Sequence, residues 1–110
     1  FGLNGFEFDT AIRFNLPIVS IVGNDAGWGQ IRTPQIDMVE EERAIATALA
    51  PTRYDKIVEA MGGHGEHVED PAEIGPALER AFASGKPACI NVTLDPRGMS
   101  KTGASTPYVT

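Results

Sequence analysis

Ile18-Val19-Ser20-Ile21-Val22 reads as a β-branched run that is apolar on both faces, and it breaks at once into Gly23-Asn24-Asp25-Ala26-Gly27-Trp28-Gly29. β-branched residues favour extended backbone, and a strand without polar alternation is the pattern of a central strand in a parallel sheet. Three glycines within the next seven residues require a sharp turn or a close backbone approach. Such a strand needs crossover connections, so the flanking sequence is expected to carry helices.

It does. Asn4 is placed to cap a helix from Gly5 to about Phe14, with Phe6, Thr10, Ala11 and Phe14 at helical spacing and Phe6 and Phe14 on the expected buried face. Leu16-Pro17 stops it. From Gln30 to Glu42 the signals conflict: Pro34 interrupts and Glu40-Glu41-Glu42 is a solvated run, so an irregular connection with a short helical turn is expected. Pro51 or Thr52 opens a helix through Met61, apolar at Tyr54, Ile57, Val58 and Met61, and Gly62-Gly63 ends it. A strand over His64 to Glu69, a helix from Asp70-Pro71 to about Ser84 and a strand over Ala88 to Leu94 complete the series. Parallel pairing through right-handed crossovers then predicts an α/β three-layer sandwich: a mainly parallel sheet with helices on both faces. After Asp95 the composition shifts to Gly, Ser, Thr and Pro, so 96–110 is expected to be a flexible tail.

A length of 110 residues allows one domain or part of one. The formal charge of −6 argues against nucleic acid as a partner. Cys89 is the single cysteine, which excludes an intrachain disulfide and fits a cytoplasmic setting. The uncharged stretch 14–24 is eleven residues long and holds Pro17, against about 20 for a membrane span. A chain that opens on Phe1, without a basic flank or cleavage signature, is expected to lack a signal peptide and to be a piece of something longer.

Ligands of open parallel sheets bind beyond the carboxyl ends of strands, which makes 24–29 the leading candidate site. Asn24 and Asp25 offer oxygens and a glycine carbonyl can reach a hard cation, the chemistry of a Mg²⁺ site completed by phosphate oxygens. The alternative is a tight turn closed by an Asx hydrogen bond. The glycine order fits neither a dinucleotide fingerprint nor a P-loop. Trp28, between two glycines, is either a ligand contact or a core anchor. His64 and His67 flank Glu66, yet residues three apart on a strand face opposite ways. Asn91-Val92-Thr93 matches a glycosylation sequon inside an expected core strand, and Cys89 reads as a buried, inert thiol.

The segment FGLNGFEFDTAIRFNLPIVSIVGNDAGWG resembles the thiamine-diphosphate-binding domain of the acetolactate synthase and 2-hydroxyacyl-CoA lyase superfamily. That family's motif opens with Gly-Asp-Gly and closes about two dozen residues later with Asn-Asn; this sequence is similar to the closing half. PTRYDKIVEAMGGHGEHVEDPAEIGPALERAFASGKPACINVTLD is similar to the C-terminal part of the same domain, so the resemblance covers about 1–95.

The resemblance implies thiamine diphosphate and Mg²⁺ as cofactors. Asp25 takes the side-chain metal position and the Gly27 carbonyl the backbone one, while Asn24, Trp28, Gly29 and Gln30 take cofactor-binding positions. Asp25 replaces the second Asn of the family pattern, and its extra negative charge faces a diphosphate, a cost the metal must offset. The implied reaction is decarboxylation or carboligation of a 2-oxoacid by an acetolactate synthase-like enzyme. The runner-up is a 2-hydroxyacyl-CoA lyase or an oxalyl-CoA decarboxylase-like enzyme acting on an acyl-CoA. The glutamate that activates the cofactor comes from elsewhere in a partner subunit. This chain therefore supplies no catalytic residue, should be inactive alone, and is expected to work with the remainder of its parent polypeptide in a homodimer or homotetramer. A non-catalytic α/β interaction module with an exposed sheet edge is the competing reading.

Overall fold

The structure, a computed structural model, describes residues 1–98, so the 99–110 part of the expected tail lies outside the described residues. A 3₁₀ turn (Gly5–Glu7) leads into α1 (Phe8–Arg13), β1 (Val19–Asn24), α2 (Gly29–Val39), α3 (Tyr54–Ala60), β2 (His64–Val68), α4 (Ile74–Ala83) and β3 (Ala88–Thr93). The strands form a parallel sheet in the order β1-β3-β2. It is the predicted α/β architecture. Among the described residues no helix is long and apolar enough to cross a membrane.

β3 lies in the middle and its first five residues are buried. On one of its faces Ala88, Ile90 and Val92 pack with Val68 of β2 and with Ala77 and Ala81 of α4, whose small side chains allow close approach. On the other, Cys89 packs with Val58 of α3 and Phe8 of α1. Helices therefore cover both faces. Burying a side chain such as Ile90 or Val58 contributes about 1.5–3 kcal/mol. Gly65 of β2 faces α3 so closely that a Cβ there would strike the Asp55 carbonyl and the Glu59 side chain. Asp70 Oδ1 accepts from the Ala72 N–H at 2.9 Å, and Pro71 follows, so this cap starts the second crossover as its sequence predicts.

Four expectations need correction. Asn4 makes no side-chain cap, because the chain enters through a 3₁₀ turn and α1 begins only at Phe8. That tighter winding changes which residues face inward: Phe8 and Ala11 are buried, whereas Phe6 and Phe14 are exposed. The stretch read as irregular is largely helix α2, which holds Pro34 within it. Its backbone is anchored at the Trp28 carbonyl, which accepts from the Ile31 and Arg32 N–H groups at 2.8 and 2.7 Å. Finally, β1 pairs with β3 alone among the described residues, so it is an edge strand here and Ile21 is 53% exposed. Among the described residues its two-faced apolar character is not matched by burial on both sides.

Candidate functional site

The carboxyl ends of β1 and β3 are joined where the Leu94 N–H donates to the Asn24 carbonyl at 2.9 Å. From there 24–29 folds into two successive Asx turns. Asn24 Oδ1 accepts from the Ala26 N–H at 3.1 Å and Asp25 Oδ1 from the Gly27 N–H at 3.0 Å. Between them Ala26 sits at φ 50°, a left-handed conformation that costs an L-residue about 1–2 kcal/mol. The loop is also stitched to the 47–49 segment: the Trp28 N–H donates to the Thr47 carbonyl at 2.9 Å and the Leu49 N–H to the Ala26 carbonyl at 2.7 Å. Thr47 is buried, and its hydroxyl donates to Gln35 Oε1 at 2.9 Å.

Asp25 stands at the centre of this arrangement. A Cβ at Gly29 would collide with Asp25 Oδ2, so the carboxylate occupies the space a side chain would need at the first residue of α2. A side chain at 29 would force the carboxylate to move, and the positive helix end beside the carboxylate offsets part of its charge. Three cavities meet here. One of about 550 Å³ is lined by Asp25, Gly27, Gly29, Arg32 and Arg97. A second, of about 450 Å³, is lined by Asn24, Asp25, Arg53, His67, Asn91 and Thr93. A third, of about 100 Å³, is lined by Val22, Asp25, Gly27, Trp28, Leu49 and Tyr54. Asp25 lines all three. One carboxylate beside backbone carbonyls suits a hard cation that takes further oxygens from a phosphate-bearing ligand. Among the described residues no cluster of three or more His, Cys, Asp or Glu side chains could hold a metal.

The other expected site residues divide by position. Asn24 turns its amide inward and also lines two of the cavities. Trp28 is 41% exposed at the rim of the smallest cavity, beside Gly2. Gln30 is exposed on the first turn of α2. His64 and His67 meet different carboxylates, Glu66 at 2.9 Å and Glu69 at 3.3 Å. Glu66 also receives two bonds from Arg80, each at 3.0 Å, which with the His64 contact outweigh burial and hold its carboxyl below the usual range. The Cys89 thiol is pushed up to about 12 by burial, with the Asp55 charge adding to it, as an inert core thiol requires.

Sequence reasoning missed a polar group behind the loop. Asp55 and Asn91 are each only 1% exposed. Arg53 Nε and Nη2 donate to Asp55 Oδ1 and Oδ2 at 2.9 and 2.6 Å. Burial alone would raise the Asp55 carboxyl; the bonds and charge of Arg53, with the Asn91 amide, outweigh it and hold the group below its usual range. The available signal was an acid one helical turn before Val58, on the stripe read as apolar, and an amide inside an apolar strand.

Residues 1–92 match the family model described as thiamine pyrophosphate enzyme, C-terminal TPP binding domain. Over 96 residues, 87% of this chain, it is 49% identical to the acetolactate synthase large subunit of Mycobacterium tuberculosis. It is 39% identical over 107 residues, 94% of the chain, to a 2-hydroxyacyl-CoA lyase of Arabidopsis thaliana. It is 34% identical over 109 residues, also 94% of the chain, to oxalyl-CoA decarboxylase of Escherichia coli K12. The matches span 17%, 19% and 18% of these relatives' own lengths, respectively.

Proposed function

Because the chain belongs to the thiamine pyrophosphate enzymes, through their C-terminal TPP-binding domain, we propose that it supplies the Mg²⁺ and diphosphate grip of an acetolactate synthase-like enzyme. The observation that carries this reading is the position of Asp25, on a loop fixed at both ends, in the walls of all three cavities beyond β1. The Asp25 carboxylate and the Gly27 carbonyl hold the metal; Asn24 fixes the turn; Trp28, Gly29 and Gln30 line the cofactor. When bound, thiamine diphosphate supplies an electron sink for a carbanion next to a carbonyl. The chain's own part is to bind and orient, and the proton transfers fall to residues outside it. Its partners are then the remainder of a longer polypeptide and further copies in a cytoplasmic homodimer or homotetramer, with a 2-oxoacid as substrate.

Similarity to a 2-hydroxyacyl-CoA lyase and to oxalyl-CoA decarboxylase supports a second reading within the class, an enzyme acting on an acyl-CoA. Arg32 and Arg97 line the cavity of about 550 Å³, but Asp25, Asp37 and Glu41 share its wall and Glu41 pairs with Arg32 at 3.5 Å, so these two cations do not by themselves select phosphates. A thermal-shift series on the intact protein tests the shared cofactor claim. Thiamine diphosphate with Mg²⁺ should raise the unfolding midpoint, either alone should raise it less, and Asp25→Ala should abolish the synergy. Indifference to Mg²⁺ in the wild type would favour the non-catalytic interaction module instead.

A further inference from the structure

Behind the Asp25 loop the hydrogen bonds run in one sense. The Ala26 N–H donates to Asn24 Oδ1 at 3.1 Å, Asn24 Nδ2 donates to Asn91 Oδ1 at 3.2 Å, and Asn91 Nδ2 donates to Asp55 Oδ1 at 3.3 Å. Arg53 closes the far end with two bonds to the Asp55 carboxylate. The Thr52 carbonyl accepts from both amides, at 2.8 Å from Asn24 and 3.4 Å from Asn91, in the same sense as the chain.

An ionised carboxylate only accepts, whereas a primary amide has one donating and one accepting end. Asp55 and the Thr52 carbonyl, both acceptors only, together require that Asn91 present Nδ2 to them and Oδ1 to Asn24. Asn24 must in turn present Nδ2 inward, which leaves its Oδ1 to close the turn that carries Asp25. The polarity of the buried acid is passed through two amides to the backbone of the loop, and the Thr52 carbonyl reinforces it at Asn24.

We propose that Asp55, held by Arg53 and read through Asn91, is a positioning residue that acts with the Thr52 carbonyl to set the orientation of Asn24 and thereby presents Asp25 to the metal. The inference rests on the reading of Asp25 as a Mg²⁺ ligand. Its test is calorimetric titration of the intact protein with Mg²⁺ at saturating thiamine diphosphate, alongside the unfolding midpoint without ligands. Asp55→Asn keeps the shape but removes the demand for a donor, and it should raise the Mg²⁺ Kd about tenfold or more, the usual size of an outer-shell effect. Val92→Ala, a core change on the opposite face of β3, should lower the midpoint and leave the Kd within about twofold, as expected of a site it does not touch. Arg53→Lys, at a half-exposed side chain, retains the charge, spares the core and should raise the Kd about threefold. Equal Kd shifts in Asp55→Asn and Val92→Ala would overturn the proposal, as would wild-type affinity in Arg53→Lys. If Asp25→Ala binds Mg²⁺ as the wild type does, the metal reading itself fails, and the positioning role with it.

Discussion

Gly29 and Asp25 form a steric pair, and the pair makes a sharp demand on sequence. Gly29→Ala would drive a methyl group into Asp25 Oδ2. The expected outcome is a loss of Mg²⁺-dependent thiamine diphosphate binding of about tenfold or more with the fold retained, read by calorimetry and circular dichroism; unchanged binding would show that the carboxylate is not needed where it stands. Asp55 makes a different prediction. Its folded-state pKa lies below the ordinary value because Arg53 outweighs burial. Its contribution to stability is therefore complete above the unfolded pKa of about 3.9 and fades as pH falls through the folded value. In urea unfolding, the advantage of the wild type over Asp55→Asn should hold from about pH 8 to pH 5 and shrink only below about pH 4; an advantage that grew on acidification would contradict the assignment. At this scale the loop was legible in the sequence, because glycines and Asx residues carry local instructions. The Asp55–Asn91 connection was not, because it joins residues 36 apart and nothing local marks a buried acid as paired.

Among the elements, β3, α3 and α4 were legible because each has an apolar pattern bounded by a glycine, proline or aspartate signal, whereas β2, with Val68 its only large apolar residue, was legible mainly from the Gly62-Gly63 and Asp70-Pro71 signals that bound it. α1 and α2 were harder. The face of α1 depends on a 3₁₀ entry that sequence periodicity does not announce, and α2 forms around Pro34 with no buried residue to mark it. Tertiary bonds support α2 instead, through Gln35 to Thr47 and Ile45. Pro34 removes a backbone donor and crowds the preceding turn, at a cost of about 3 kcal/mol in an uncompensated helix. Pro34→Ala should therefore raise stability to denaturant by about 1 kcal/mol, part of the cost being already relaxed; a loss of stability would mean that the proline is required for the path of the chain.

Over the whole molecule, the sheet holds three described strands, and one of them is misplaced for its composition. β1 is apolar on both faces yet lies at an edge, and Ile18, Ile21 and Leu94 are each about half exposed. The chain spans under a fifth of the relatives it matches. On the proposed reading, in which the chain works within a longer polypeptide, the rest of that polypeptide covers β1. Ile21→Lys should then destabilise that protein by about 2 kcal/mol, as burial of the side chain would require, and a neutral result in urea unfolding would show that the face is open to water. The three-layer arrangement was legible from the order of helices and strands, whereas the edge position of β1 depends on which neighbours are present.

On the proposed reading Asp25 joins the cofactor to its metal, and the deciding measurement is the affinity of the intact protein for thiamine diphosphate with and without Mg²⁺, in the wild type and in Asp25→Ala. Mg²⁺ should tighten binding to the wild type by about a hundredfold and leave the variant nearly unaffected, as expected where the metal bridges protein and diphosphate. Equal tightening in both proteins would remove Asp25 from the metal site and contradict the account.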